Sequence, residues 1–279
     1  MKIKFVFILS NIIILVFLVF LCTIPSLMAP ADFAPAFWRL SWPLVLVLVL
    51  FLIALECFYF YNRRLFLLLE REDWPALVQY LEMRVIRKGH YSPHLVRLLA
   101  NTYLVLSDSA AVINLENKTA IVKPALVETN ALIFGAARIL GKDIAGAVNF
   151  FSTRLDPAPG RAPQKQAQWI RWYYGFALLL DRQFTPAADQ FILLAKEADD
   201  ALVAGLSAFF LYDTLTKIFP ERSLELQALA AEGQNRVRGS LPAQRDWDKE
   251  AAKIETEVHA AILFKNLGNA ARWIYGGIL

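Results

Sequence analysis

Two apolar runs near the N-terminus constrain this chain more than any other feature. Phe5 to Ile24 is broken only by Ser10, Asn11, Cys22 and Thr23, and Trp42 to Tyr61 carries Glu56 as its only charge. Each holds the roughly 20 residues that a helix needs to cross about 30 Å of hydrocarbon. Pro25, Pro30 and Pro35 lie between them and oppose a continuous helix, so residues 25–41 read as a turn outside the bilayer. The pattern predicts a transmembrane hairpin over residues 1–61, with spans at 5–24 and 42–61.

Direction follows from the excess of Lys and Arg on the cytoplasmic side of membrane spans. Lys2 and Lys4 precede the first span, Arg63, Arg64 and Arg71 follow the second, and the connection offers only Arg39. Both termini are expected in the cytoplasm, with the rest of the chain on the inner face of a bacterial inner membrane. Trp38 and Trp42 suit one interface, and Tyr59 and Tyr61 the other. An alternative makes residues 1–31 a cleaved signal peptide ending at Ala29-Pro30-Ala31. The second span would still hold the remainder inside.

Beyond the hairpin the composition is ordinary. The chain is 57% hydrophobic and 19% charged, but residues 62–279 hold 26 basic and 23 acidic side chains against three and two in residues 1–61. A net charge of +4 with no linear basic cluster leaves no electrostatic footprint for nucleic acid. Any basic patch would have to be assembled by the fold. Cys22 and Cys57 both fall in the apolar runs, near opposite membrane faces, too far apart for a disulfide. Thiol catalysis and cysteine-ligated zinc are thereby excluded from the cytoplasmic part.

From Arg63 onward the periodicity is helical, so the fold class is all-α. Asp73 before Pro75, Ser92 before Pro93 and Thr185 before Pro186 read as helix starts. The apolar run Leu65-Phe66-Leu67-Leu68-Leu69 predicts that the second span continues as one helix to about Arg71. Residues 233–245 read as a loop, followed by a helix from about Asp246 to Lys265 with Ile254, Val258, Ala261 and Ile262 in one stripe. Residues 236–279 are therefore expected to cap the domain. The alternative places Trp273-Ile274-Tyr275 on the bilayer surface.

An internal repeat organises residues 62–235. Gly135, Ala147 and Phe151 recur as Gly175, Ala187 and Phe191, at identical offsets of 12 and 16; Ala137 and Leu140 recur as Ala177 and Leu180. Ala76, Val112, Ala147 and Ala187 extend the series at steps of 36, 35 and 40, and Ala76 with Tyr80 repeats the small-to-aromatic spacing. The loop Asp156-Pro157-Ala158-Pro159-Gly160-Arg161-Ala162-Pro163 accounts for the longer last step. This pattern resembles the tetratricopeptide repeat, a helix–turn–helix unit in which small residues on the two helices face each other. The resemblance implies an α-solenoid of helical hairpins. The order of elements, with Glu56 and Arg63-Arg64-Leu65-Phe66 at the junction, is also similar to HemY-type membrane proteins.

Motifs for chemistry fall short. In Gly135 to Lys142 five residues separate the glycines where a phosphate loop needs four, and Asp143 replaces its Ser or Thr. His90 and His94 have metal-ligand spacing, but Ser92-Pro93 starts a helix between them. Gly205-Leu206-Ser207-Ala208 lacks the last glycine of a nucleophile elbow. No catalytic residue, metal or cofactor is expected.

Two candidate sites remain. Asn11 lies six residues after Phe5 and Glu56 five before Tyr61, so in an antiparallel pair both sit about 8–9 Å from the cytoplasmic face, within bonding reach. The tetratricopeptide resemblance further implies that Trp169, Trp172, Phe176 and Leu179 line a groove for an apolar or amphipathic partner helix. The same helix is apolar nearly all round, so these residues equally fit a core. The expected function is a membrane-anchored scaffold that docks a partner protein. The alternative is an accessory subunit of a membrane enzyme or transporter, acting through its hairpin.

Overall fold

The computed structural model describes residues 3–28, 33–155, 164–255 and 262–276, and among these there is no strand. Contacts divide the chain into two compact units, residues 1–80 and 81–279.

The first unit contains α1 (Ile3–Met28) and α2 (Phe33–Glu70), which pack on each other, and most of α3 (Trp74–Glu82). The ring of Phe7 stacks on Tyr59 at 4.1 Å. The prolines do not confine a turn to residues 25–41 as expected: α1 includes Pro25, and α2 includes Pro35 and Pro43. Pro35 sits in the first turn of α2, where its missing N–H would have had no partner. Pro30 and the Ala29-Pro30-Ala31 motif lie outside the described residues. Ser41–Glu70 is long and apolar enough to cross a membrane; its most apolar stretch buries no side chain, whereas Asn62 and Leu65 of the same helix are buried. The helix runs past Arg63-Arg64 to Glu70 without a break. Ala201–Ile218 meets the same length and composition test, but it is largely buried and serves as a core helix of the second unit.

The second unit begins with a π-helical turn, Met83–Arg87, and continues through α4 (Pro93–Val105), α5 (Ser109–Val122), α6 (Pro124–Thr129), α7 (Ala131–Leu140) and α8 (Ile144–Ser152). Then follow α9 (Gln164–Leu180), α10 (Phe184–Glu197), α11 (Ala201–Phe210), a π-helical turn Leu211–Leu215, α12 (Thr216–Ile218), α13 (Ser223–Ser240), α14 (Gln244–Glu255) and α15 (Phe264–Tyr275). Neighbours in sequence are neighbours in space: α4 packs on α5, α5 on α7, α7 on α8, α8 on α9, α9 on α10 and α10 on α11.

One turn recurs between paired helices. Glu72, Ser107, Lys142 and Arg182 have left-handed backbone, with φ of 54°, 60°, 62° and 62°. In each case the next N–H, of Asp73, Asp108, Asp143 or Gln183, reaches back to the carbonyl of Leu68, Tyr103, Arg138 or Leu178, at 2.9–3.2 Å. This bond satisfies a carbonyl that the helix end would otherwise orphan. Asp73, Asp108 and Asp143 then cap the second helix by accepting from the N–H groups of Ala76, Ala111 and Gly146. Ser92 does the same for Leu95. Thr185, expected to cap α10, lies inside it, and Gln183 stands at the cap without a side-chain bond.

The turns step by 35, 35 and 40 residues, and they set the repeat register. Ahead of them Leu65, Ala100, Gly135 and Gly175 occupy matching buried places; beyond them come Leu77, Val112, Ala147 and Ala187, then Leu81, Glu116, Phe151 and Phe191. The expected series started one residue early: Leu77, not Ala76, is fully buried, and Leu81 replaces Tyr80. One residue is about 100° around a helix, enough to leave the core face. At Gly135 a Cβ would stand 2.0 Å from the Phe151 ring, whereas at Gly175 the nearest atoms, on Gln190 and Phe191, are 3.2–3.3 Å away.

The C-terminal region differs from expectation. α13 continues through Gly233 to Ser240, so the loop is short; α14 covers Gln244–Glu255, and residues 256–261 of the expected helix lie outside the described residues. Gly233 persists in the helix because Ala208 packs against it; a Cβ there would lie 2.9 Å from that of Ala208. Val258 and Ala261 lie outside the described residues. Trp247 of α14 and Ile274 of α15 are buried against Gly205. Gln234 donates to the carbonyl of Trp273 at 2.9 Å, Arg238 to that of Ile274 at 2.6 Å, and the Tyr275 hydroxyl to Leu241 at 2.7 Å. Trp273 stacks on Tyr212 at 5.1 Å. Residues 273–275 are thus part of the packed unit, with Ile274 buried and Trp273 and Tyr275 half-buried.

Gly135→Ala is expected to cost about 1–3 kcal/mol, because Phe151 is fully buried and stacked on Tyr173 and its ring has no room to retreat. Gly175→Ala is expected to fall within about 1 kcal/mol of the parent, the better helix propensity of alanine offsetting a mild contact. Lys142→Gly, by relieving the left-handed backbone, is expected to stabilise by up to about 1 kcal/mol. Chemical denaturation of the three variants checks the order.

Candidate partner-docking groove

The four residues expected to line a groove divide in the structure. Trp172 is fully buried and Trp169 nearly so, while Phe176 and Leu179 are half-buried. The Trp172 ring stacks on Phe176 at 5.3 Å and meets Phe210, Phe191 and Tyr173 edge-on within 6.0 Å. This cluster joins α9, α10 and α11 into one core. Trp172 is a core residue and presents no surface to a partner. Its Nε1–H is buried without an acceptor among the described residues.

Trp169 has a different role. Its Nε1–H donates to Asp200 Oδ2 at 3.2 Å, and the ammonium of Lys165 lies 3.1 Å from the same oxygen. The other carboxylate oxygen accepts the N–H of Leu202 and so caps α11. One buried carboxylate therefore anchors the start of α11 and fixes two side chains of α9. Gln168 braces the same corner, accepting the N–H of Asp200 at 3.0 Å and donating to Asp199 at 3.1 Å.

Those side chains border a concave site that the sequence did not single out. A cavity of about 310 Å³ is lined by Arg97 of α4, Thr129, Asn130, Leu132 and Ile133 at the α6–α7 junction, Lys165, Gln166 and Trp169 of α9, and Lys253 and Ile254 of α14. α4, α7 and α9 are the first helices of successive pairs, and α7 packs on both α4 and α9. Asn130, almost fully buried, sits at the junction; its amide donates to the Leu126 carbonyl at 2.8 Å, and its oxygen accepts from Arg97 at 3.4 Å. Gln166 donates to the Glu128 carbonyl at 2.8 Å, tying α9 to α6. The floor is aliphatic, from Leu132, Ile133 and Ile254, and the rim carries Arg97, Lys165 and Lys253. A second depression of about 410 Å³ shares Lys165 and continues along Gln168, Asp199, Asp200 and Glu250. The expected all-apolar groove over Trp172 is replaced by one with an apolar floor and a cationic, amide-bearing rim, displaced toward the start of α9.

The other candidate pair is joined directly. Asn11 Nδ2 donates to Glu56 Oε1 at 2.9 Å between α1 and α2. Asn11 Oδ1 is buried and has no hydrogen-bond partner among the described residues.

The remaining motifs resolve into structure. Gly141 and Lys142 form the α7–α8 turn, and Asp143 caps α8. Ser207 is fully buried in α11 and donates to the Val203 carbonyl at 2.7 Å. His94 opens α4, His90 precedes it, and both are exposed. Among the described residues no group of three His, Cys, Asp or Glu side chains is placed to hold a metal ion.

Trp172→Ala is expected to destabilise the chain by about 3–5 kcal/mol, as removal of a buried aromatic does. Trp172→Phe is expected to cost far less, because it also removes an unsatisfied buried donor. Equilibrium unfolding separates the two.

A family model described as an uncharacterised Treponema protein matches residues 111–276, from α5 to the end of α15. A protein of Treponema pallidum (strain Nichols), described only as an uncharacterized protein, is 27% identical over 236 residues, covering 82% of this chain and 74% of its own. No solved structure matches.

Proposed function

The chain belongs to this family of Treponema proteins, and we propose that it is a membrane-anchored, non-enzymatic scaffold whose helical pairs form a tetratricopeptide-like solenoid that docks a partner protein. The observation that carries the reading is the groove itself. First helices of successive pairs line it, its floor is Leu132, Ile133 and Ile254, and its rim is Arg97, Lys165, Gln166 and Lys253. An amphipathic helix or extended peptide fits such a surface, with its apolar face on the floor and its polar flank on the rim. Lys2, Lys4, Arg63, Arg64 and Arg71 support a cytoplasmic position for the groove, and α1 with α2 supplies the anchor, in a bacterial inner membrane.

A second reading draws support from Asn11, whose buried Oδ1 has no partner among the described residues. A donor from a further membrane helix would satisfy it, making the hairpin an accessory subunit of a membrane complex. A photo-crosslinking residue placed at Leu132 or at Ile12 of the full chain, in intact membranes, separates the readings. Scaffold function is expected to give a discrete protein adduct from position 132, lost on Lys253→Glu with an unchanged melting temperature. Adducts from position 12 alone would reject the groove in favour of the hairpin.

A further inference from the structure

We propose that the edge of the helical unit formed by the C-terminus of α5 and the segment 87–92 is a lipid-contact surface, built to rest on an anionic bilayer. Ile121 is 85% exposed and Val122 52%, the two last residues of α5. Lys118 precedes them, Lys123 follows, and all four side chains are exposed. Lys123 donates to the Tyr91 carbonyl at 2.9 Å, which brings Arg87 and Lys88, also exposed, to the same edge.

The sign of this edge is unmixed. Residues 83–107 and 117–127 contain no Asp or Glu. The acids that border these stretches are engaged elsewhere. Glu82 accepts from the Tyr103 hydroxyl at 2.6 Å, Glu116 pairs with Arg138, and Glu128 pairs with Arg154 at 3.4 Å. A linear reading of the charge misses the patch, because its two halves lie about thirty residues apart and are joined by the Lys123 contact.

The chemistry favours lipid over an acidic protein. Two aliphatic side chains that protrude from a helix end need a medium that closes around them, and the headgroup boundary of a bilayer does so while cations flank it. Each Lys or Arg near an anionic leaflet adds about 1 kcal/mol of attraction, close to a fivefold change in occupancy. The inference rests on the membrane-anchored reading above, since the anchor keeps the edge and a bilayer in one place.

The test uses the full chain in lipid nanodiscs of phosphatidylcholine, with or without about 30% phosphatidylglycerol. The readout is the rate at which a water-soluble reagent acylates each lysine, followed by peptide mass spectrometry. In anionic discs Lys88 and Lys118 are expected to react about fivefold more slowly than in neutral discs. Lys142 and Lys217 are expected to be unchanged, and high salt is expected to abolish the difference. Ile121→Asp is expected to remove the protection with no change in melting temperature; Lys118→Gln, read at Lys88, provides a second variant. Equal rates in both lipids would overturn the proposal, as would protection that appears only when an acidic protein is added. Failure to enter even neutral discs rejects the anchor instead, and co-sedimentation of the same chain with anionic against neutral vesicles then decides the edge.

Discussion

The left-handed turn that ends each first helix is the constraint on which the helical unit depends. Its backward N–H bond closes the helix end and turns the chain, and after three of the four turns the following helix packs on its predecessor, α5 on α4, α8 on α7 and α10 on α9. Once that reversal is set, the facing positions are set as well. The residue seven before the turn meets the residue nine after it at Gly135 with Phe151 and at Gly175 with Phe191. Glu, Ser, Lys and Arg hold the left-handed conformation where glycine would do so with less strain, at Glu72, Ser107, Lys142 and Arg182. The surrounding packing bears that cost, and the same geometry persists across four unrelated side chains.

What fills the facing positions differs from copy to copy. Gly135 and Gly175 make room for Phe151 and Phe191, whose rings lie against the glycine backbone. In the pair of α4 and α5, the position of those rings belongs to Glu116, nearly buried and paired with Arg138. Arg138 in turn lies over the Phe150 ring at 4.6 Å, and Arg154 over the same ring at 3.8 Å. Phe150 is held between two guanidinium groups, each also held by a carboxylate. A buried ion pair of this kind is retained only where its charges are matched on both sides. Asp200 does comparable service on the other side of the unit, with three donors on one carboxylate.

The groove is a consequence of this arrangement. First helices that stack beside one another leave a shared trough, and α14 closes one side of it. Its rim residues come from segments separated by as much as 156 positions, from Arg97 to Lys253. Trp172 and Tyr173 of α9, by contrast, face inward, and α10 and α11 both pack against that helix.

Local rules carried much of this from sequence alone. Apolar length marked α1 and α2, capping chemistry marked the starts at Asp73 and Ser92, and similar spacings of six residues from Phe5 and five from Tyr61 placed Asn11 and Glu56 side by side. The offsets of Gly135, Ala147 and Phe151 were legible because the helix period turns spacing directly into a face. Tertiary structure decided the rest. The register of the first copy hung on a single residue, Leu77 or Ala76, that no periodicity in so short a helix resolves. Gly233 looked like a loop because its reason to sit in a helix is Ala208, a partner outside its own segment. Trp172 could be read as core or groove, because an all-apolar helix shows which residues avoid water but not which neighbour covers them. The groove and the basic edge at Lys123 had no linear signal at all, since each is made of residues brought together only by the packing of separate helices.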